Sequence, residues 1–214
     1  MIPFLKKHSW RLLNAVGLGW SVQLYVDSAL KQYGWFRSFS QKISVDAAGN
    51  PIPWYTYSFI FFLQPRLRPD LRVFEYGSGN STRWYSKHVG FINAVEHDHE
   101  WIKIIGPKLP GNVKLVEKPL GKQYVEAIRE VGEKFDIIVV DGRQRVKCVN
   151  YAVNYLKPGG VLILDNSERY WYQEAKDLLT AQGFRSLDFR GMGPIVGYEF
   201  CSSVFYRDGN CLGI

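Results

Sequence analysis

Cysteine is scarce in this 214-residue chain: Cys148, Cys201 and Cys211 are odd in number and show no C-x-x-C spacing. That excludes a disulfide framework and a zinc knuckle and suits a reducing, cytoplasmic setting. Histidine is scarce too, and His88, His97 and His99 have no spacing that demands zinc. Long apolar runs are missing. Residues 12–26, behind Lys6, Lys7 and Arg11, superficially resemble a secretory signal, but Asn14, Ser21 and Gln23 interrupt them, and the stretch is too short and polar to span a bilayer. It reads as an amphipathic helix resting on the protein core, with peripheral contact to a membrane surface as the alternative. The closing Cys211-Leu212-Gly213-Ile214 matches a prenylation box only in form, because Gly213 is not aliphatic and no polybasic run precedes it. There is no internal repeat or low-complexity tract.

What is present suffices for a substantial core: 46% of residues are hydrophobic, enough for one domain with an N-terminal extension. Residues 1–70 form that extension and residues 71–214 the core. A formal net charge of +7 and a pI of about 9.2 would suit an anionic partner, but the bases are scattered along the chain, as on a solvated basic surface. The extension is rich in Trp, Tyr and Phe. It predicts a helix over 21–33, a turn at 46–51, and a helix over 58–63 ending before Pro65. Its aromatic faces suit core packing or stacking on a substrate.

From residue 71 onward apolar runs alternate with helical periodicity, which argues for a parallel sheet with crossover helices. Expected strands are Val73-Phe74, 91–95, 113–116, 135–140 and 161–164. Helices are expected from Asp98 to Gly106-Pro107, around Tyr124, Ile128 and Val131, over 149–156 with a stop at Lys157-Pro158-Gly159-Gly160, and around Trp171, Ala175 and Leu178. Two tail strands, 185–189 and 200–205, flank the link Gly191-Met192-Gly193-Pro194.

The chain is organised around residues 71–82, L-R-V-F-E-Y-G-S-G-N-S-T. Here a buried strand meets Gly77 and Gly79, which permit positive φ or close backbone approach, and then the helix-capping types Asn80, Ser81 and Thr82. In an open parallel sheet, ligands bind at the carboxyl ends of the strands, where strand order reverses. The polar residues at those ends are Glu75, Glu96, Glu117, Asp141 and Asp165-Asn166. A dinucleotide fits poorly, since its fingerprint needs glycine where Thr82 stands and Glu75 would repel pyrophosphate. A ligand with a ribose, no phosphate and positive charge fits better, and S-adenosylmethionine is such a molecule.

Four motifs in order, E-Y-G-S-G-N-S-T, A-V-E-H-D, F-D-I-I-V-V-D-G and L-K-P-G-G-V-L-I-L-D-N, resemble class I S-adenosylmethionine-dependent methyltransferases. The resemblance covers residue 71 to the C-terminus. It implies an α/β, Rossmann-like, doubly wound and mostly parallel sheet of seven strands with the last antiparallel. It also implies a cofactor site of Glu75, Gly77, Ser78, Gly79, Ser81, Thr82, Glu96, His97 and Asp141. In it Glu75, Gly77 and Gly79 line the methionine end, Glu96 holds the ribose and His97 lies near the adenine. Asp141, Asp165 and Asn166 resemble the metal site of cation-dependent O-methyltransferases of the caffeoyl-coenzyme A type, which implies a divalent cation such as magnesium. The D-A-D-K segment of that group is replaced here by Asp141-Gly142-Arg143-Gln144. Without metal, Asp141 would serve as general base or cofactor contact, and Asp165 and Asn166 would orient the acceptor. Arg143, Arg145 and Lys147 follow on a loop at the mouth of the site, either holding an acidic substrate or solvated.

The expected function is O-methylation of a hydroxylated small molecule, a sugar or a glycan precursor. Two alternatives stand beside it. One is a nucleic-acid or protein methyltransferase, suggested by the basic charge, although the fourth strand ends V-V-D-G where base N-methylating enzymes carry an N-P-P-Y type of segment. The other is a non-catalytic binding module on the same fold.

Overall fold

The structure, a computed structural model, describes residues 3–214, with side chains from Ser9 onward. Helices α1 (Pro3–Ala15), α2 (Gly19–Val26), α3 (Ala29–Gln32), α4 (Trp35–Gln41) and α5 (Tyr57–Leu63) come first. Strands and helices then alternate: β1 (Arg72–Tyr76), α6 (Asn80–Tyr85), β2 (Phe91–Glu96), α7 (His99–Ile105), β3 (Val113–Glu117), α8 (Lys122–Glu130), β4 (Phe135–Val140), α9 (Arg145–Ala152), β5 (Leu156–Asp165) and α10 (Gln173–Ala181). The hairpin-like pair β6 (Arg185–Gly191) and β7 (Phe200–Tyr206) closes the chain.

The seven strands form one sheet in the order β3-β2-β1-β4-β5-β7-β6. β1 to β5 are parallel, and β7 enters antiparallel between β5 and β6. Period-2 alternation splits the strand residues between two apolar layers. Phe74, Tyr76, Ile138, Val140, Leu162 and Leu164 meet α8, α9 and α10 on one face. Val73, Ile137, Val139, Val161 and Ile163 meet α5 and α6 on the other. Both faces are covered, so the stretches Ile137 to Val140 and Val161 to Leu164 are apolar on both sides.

Strand order reverses between β1 and β4, and at their carboxyl ends the backbones nearly touch. The N–H of Asp141 donates to the Tyr76 carbonyl at 3.2 Å and that of Gly77 to Val95 at 2.9 Å. Gly77 has φ +94°, and a Cβ on it would stand 3.1 Å from the Gly142 Cα. At Gly79 neither expected reason for glycine applies: its φ of 170° is extended, and a Cβ would meet only Trp101 at 3.8 Å.

Four expectations are corrected. The helix over 21–33 is two helices, broken where Asp27 turns extended and the Ser28 hydroxyl caps α3 by accepting from the Lys31 N–H. Lys157-Pro158-Gly159-Gly160 does not stop a helix; α9 ends at Ala152, and β5 runs through those residues with an irregular register against β4. Trp171 lies in a short 3₁₀ turn ahead of α10 and is exposed. The N-terminal stretch does not rest on the core: from Ser9 to Val26 only Gly19 is buried. Among the described residues no helix is long and apolar enough to cross a membrane.

The narrowest point of the sheet gives a direct test. A Cβ at Gly142 would lie 2.1 Å from the Tyr124 hydroxyl and 2.9 Å from the Gly77 nitrogen. Gly142→Ala should therefore destabilise the protein by about 1–3 kcal/mol, as overpacking does, read as a lowered midpoint in urea.

Candidate active site

Glu75 follows Val73 on the α6-facing side of β1, and the first turn of α6 covers it, leaving it 1% exposed. The Ser81 and Thr82 hydroxyls donate to its two oxygens, each at 2.5 Å. The Thr82 hydroxyl also accepts the Gly79 N–H at 2.9 Å. Thr82 thus caps the helix and fixes the carboxylate, a double task that glycine could not perform. Asn80, expected as a cap, instead reaches the Ser44 carbonyl at 2.7 Å. Burial pushes the Glu75 carboxyl up to about 8, against the pull of its two hydroxyl donors, and the charges of Asp141 and Glu96 add to the rise.

Glu96 ends β2 and gathers donors. It accepts from the Ser78 N–H at 3.1 Å, the Ser78 hydroxyl at 3.2 Å, the His97 N–H at 2.7 Å and the Asp98 N–H at 3.1 Å. The His97 Nδ1 lies 2.7 Å from the same carboxylate. Together with Gly77, Ser81 and Asp141 these residues line a cavity of about 280 Å³. Trp101, which the sequence did not single out, donates from its indole to the Ser78 carbonyl at 2.8 Å and braces the glycine turn.

A second cavity, of about 320 Å³, shares Asp141 and Arg145 with the first. Its other walls are Asp165, Asn166, Arg169, Trp54, Val196, Tyr198 and Phe200. Asn166 adopts φ +52°, a left-handed conformation that asparagine tolerates. The Ser202 hydroxyl donates to Asp165 at 2.7 Å. Above lies the link between β6 and β7, held by the Tyr57 N–H on the Met192 carbonyl at 2.9 Å and by the Trp35 indole on the Val196 carbonyl at 2.7 Å. Within it Ile195 sits at φ +75°, a strained conformation for a β-branched side chain. Trp54 belongs to the aromatic stretch whose faces suit core packing or stacking on a substrate, while nothing in the sequence pattern signals Tyr198 or this tether.

The structure brings Asp141, Asp165 and Asn166 to one cavity, but the metal expectation is corrected by Arg145. This residue was read as a loop base at the mouth; it is buried, and its guanidinium spans the two carboxylates. Nη2 lies 2.9 Å from Asp141 Oδ1, Nη1 lies 3.9 Å from Asp165 Oδ2, and Nη1 also donates to the Asp165 carbonyl. Further bonds to the Gly142 and Asp141 carbonyls lock it. A fixed cation already bridges the oxygens that magnesium would need, so the site does not fit a divalent ion. Among the described residues no group of three or more His, Cys, Asp or Glu is arranged to hold a metal. Arg143 and Lys147 are exposed, while His88 and His99 bond locally, to the Trp84 carbonyl and to Glu117.

Burial pushes Asp165 far above the usual carboxylate range; Asp141 adds to this and Arg145 opposes it. Burial raises Asp141 as well, again against Arg145, although a quarter of its side chain is open to the cavities. Behind them the Tyr55 and Tyr85 hydroxyls lie 3.3 Å apart, both pushed up by burial.

Comparison with known proteins bears on the fold. No family model matches the sequence, nor does any curated protein. The structure superposes on a precorrin-6y C5,15-methyltransferase from Geobacter metallireducens with a TM-score of 0.58, at 17% identity over 79% of this chain and 96% of that one. A precorrin 8W decarboxylase from Methanobacterium thermoautotrophicum gives 0.55 at 18% identity, over 78% and 96% of the two chains. An N-methyltransferase from Bradyrhizobium japonicum gives 0.50 at 11%, over 70% and 92%. At these identities the likeness is one of fold: the seven-stranded, Rossmann-like fold found in methyltransferases.

Removing the guanidinium would leave two buried carboxylates unpaired. Arg145→Met should lower stability at pH 7 by about 3–5 kcal/mol. The deficit should shrink as pH falls and both carboxyls take up protons, which chemical denaturation at pH 7 and pH 5 will show.

Proposed function

We propose that the chain is an S-adenosylmethionine-dependent methyltransferase acting on a hydroxyl group of a small molecule, a sugar or a glycan precursor. The observation that carries this reading is Glu75, a buried carboxyl at the glycine turn with no cationic side chain within ion-pair distance among the described residues. An ammonium group placed there would supply the missing charge, whereas a pyrophosphate would meet only repulsion.

Bound S-adenosylmethionine supplies a methyl group on a sulfonium, which is already a good leaving group. The chain's residues then position and deprotonate. Glu75, with Ser81 and Thr82, holds the amino end, and Glu96 holds the ribose. Five donors already crowd Glu96, so the ribose hydroxyls would displace the Ser78 hydroxyl or the His97 ring, which can rotate, and leave the three backbone N–H groups in place. The flat faces of Trp54 and Tyr198 suit a sugar or phenol ring beside Asp165 and Asn166. Asp165 receives the hydroxyl proton as the oxygen forms its bond to the methyl carbon and the carbon–sulfur bond breaks. Burial beside Asp141 raises its proton affinity above that of an ordinary carboxylate, which strengthens it as a base in its ionised form. Arg145 keeps the Asp141–Asp165 pair oriented.

Two measurements test the assignment. Because Glu75 holds its proton up to about pH 8, taking up a cation there must release that proton. Calorimetric affinity for S-adenosylmethionine should rise from pH 6 to pH 8 and then level off, and Glu75→Gln should weaken binding and remove the slope; no binding at millimolar cofactor would overturn the reading. In a methyl-transfer screen over sugars, phenols and nucleic acids, with magnesium or with EDTA, turnover is expected on hydroxylated small molecules in both conditions. Asp165→Asn should lower that turnover about 100-fold or more, as loss of a general base does, with cofactor affinity unchanged.

A further inference from the structure

The N-terminal helices present an apolar surface that the core does not cover. Residues 12–26 contain no charged residue, yet α2 and the turn before it are exposed: Trp20 is 67%, Tyr25 66% and Leu18 53% accessible. Ten of the eighteen large apolar side chains exposed among the described residues fall between Trp10 and Ile43, so the exposure is concentrated here. α2 carries no charge, and only Ser21 and Gln23 interrupt its apolar residues; a helix of that character is ordinarily buried in protein or lipid. At about 1.5 Å per residue, α2 is far too short to cross a bilayer.

Charge follows the same boundary. The bases recur throughout the chain, but the acids do not: the first 45 residues hold Lys6, Lys7, Arg11, Lys31, Arg37 and Lys42 against Asp27 alone, which is +5 of the total +7. The uncharged stretch is thus flanked by bases on both sides. A nucleic acid would satisfy the bases and leave the apolar surface in water. A second copy meeting this face about a two-fold axis would bring the same basic flanks together. An anionic lipid surface satisfies both features, since apolar groups enter the acyl boundary, Trp and Tyr favour the headgroup level, and bases meet the acidic headgroups.

We propose that α1, α2 and the turn joining them are a peripheral membrane anchor that docks the protein on an anionic lipid surface. Tyr25 packs edge-on against Phe36 at 5.2 Å, and the adjacent Trp35 holds Val196 in the wall of the second cavity. The anchor is therefore joined to the site through α4.

Vesicle co-sedimentation of the full chain, without cofactor or turnover, tests this independently of the proposed reaction. The protein should pellet with phosphatidylcholine vesicles containing phosphatidylglycerol at least roughly tenfold more strongly than with phosphatidylcholine alone, since each basic residue near an anionic surface contributes roughly fivefold, and added salt should weaken binding. Trp20→Glu/Leu24→Glu should lose that binding with an unchanged thermal midpoint. Leu12→Glu/Val16→Glu, on the other side of the turn, should do the same. Equal binding by wild type and both variants would overturn the anchor. So would absence of vesicle binding together with a dimer, seen by sedimentation velocity, that the variants dissociate.

Discussion

Carboxyl groups drawn out of water are the constraint around which this protein is arranged. Glu75, Asp141 and Asp165 lie at the ends of three neighbouring strands, and the Arg145 guanidinium bridges Asp141 and Asp165. Desolvation raises all three carboxyls. Hydroxyls from Ser81, Thr82 and Ser202 stabilise them without adding charge. The proposed function uses this arrangement as a seat for a cation at Glu75 and for a proton at Asp165.

Much of this was legible in the sequence because the determining signals are local. Short apolar runs such as I-I-V-V after Asp136 read as strands covered on both faces, and the polar residue after each then lies at a strand end. Gly77, Glu75 and Glu96 could be placed in this way. Arg145 could not, since a base four residues after Asp141 looks like any exposed helix pair; only folding reveals that β5 brings Asp165 to its other side. The meeting of Trp54 and Tyr198 at one cavity was hidden for the same reason, the two being distant in sequence and joined only by the fold. Gly79 was misread because a glycine in a motif is not always there for its dihedral angles.

The extension divides into two parts. Its second half, with Tyr55, Phe59 and Leu63 buried, is core in all but sequence pattern, and its aromatic richness reflects packing against β1, β4 and β5. The residues before it, up to position 45, have the opposite character, combining exposed apolar residues with most of the excess positive charge. The scattered distribution of bases concealed this, because what varies along the chain is the density of acids.

The link between β6 and β7 has a mechanical reading. Ile195 in a left-handed conformation stores on the order of 1–2 kcal/mol, and this is sustained by the two bonds that pin the link to Trp35 and Tyr57. The wall of the second cavity is thus held in place from the N-terminal helices, outside the sheet. Under the proposed function, the contacts that would shape acceptor choice are separate from Glu75, Asp141 and Asp165, and the two sets of residues can change independently.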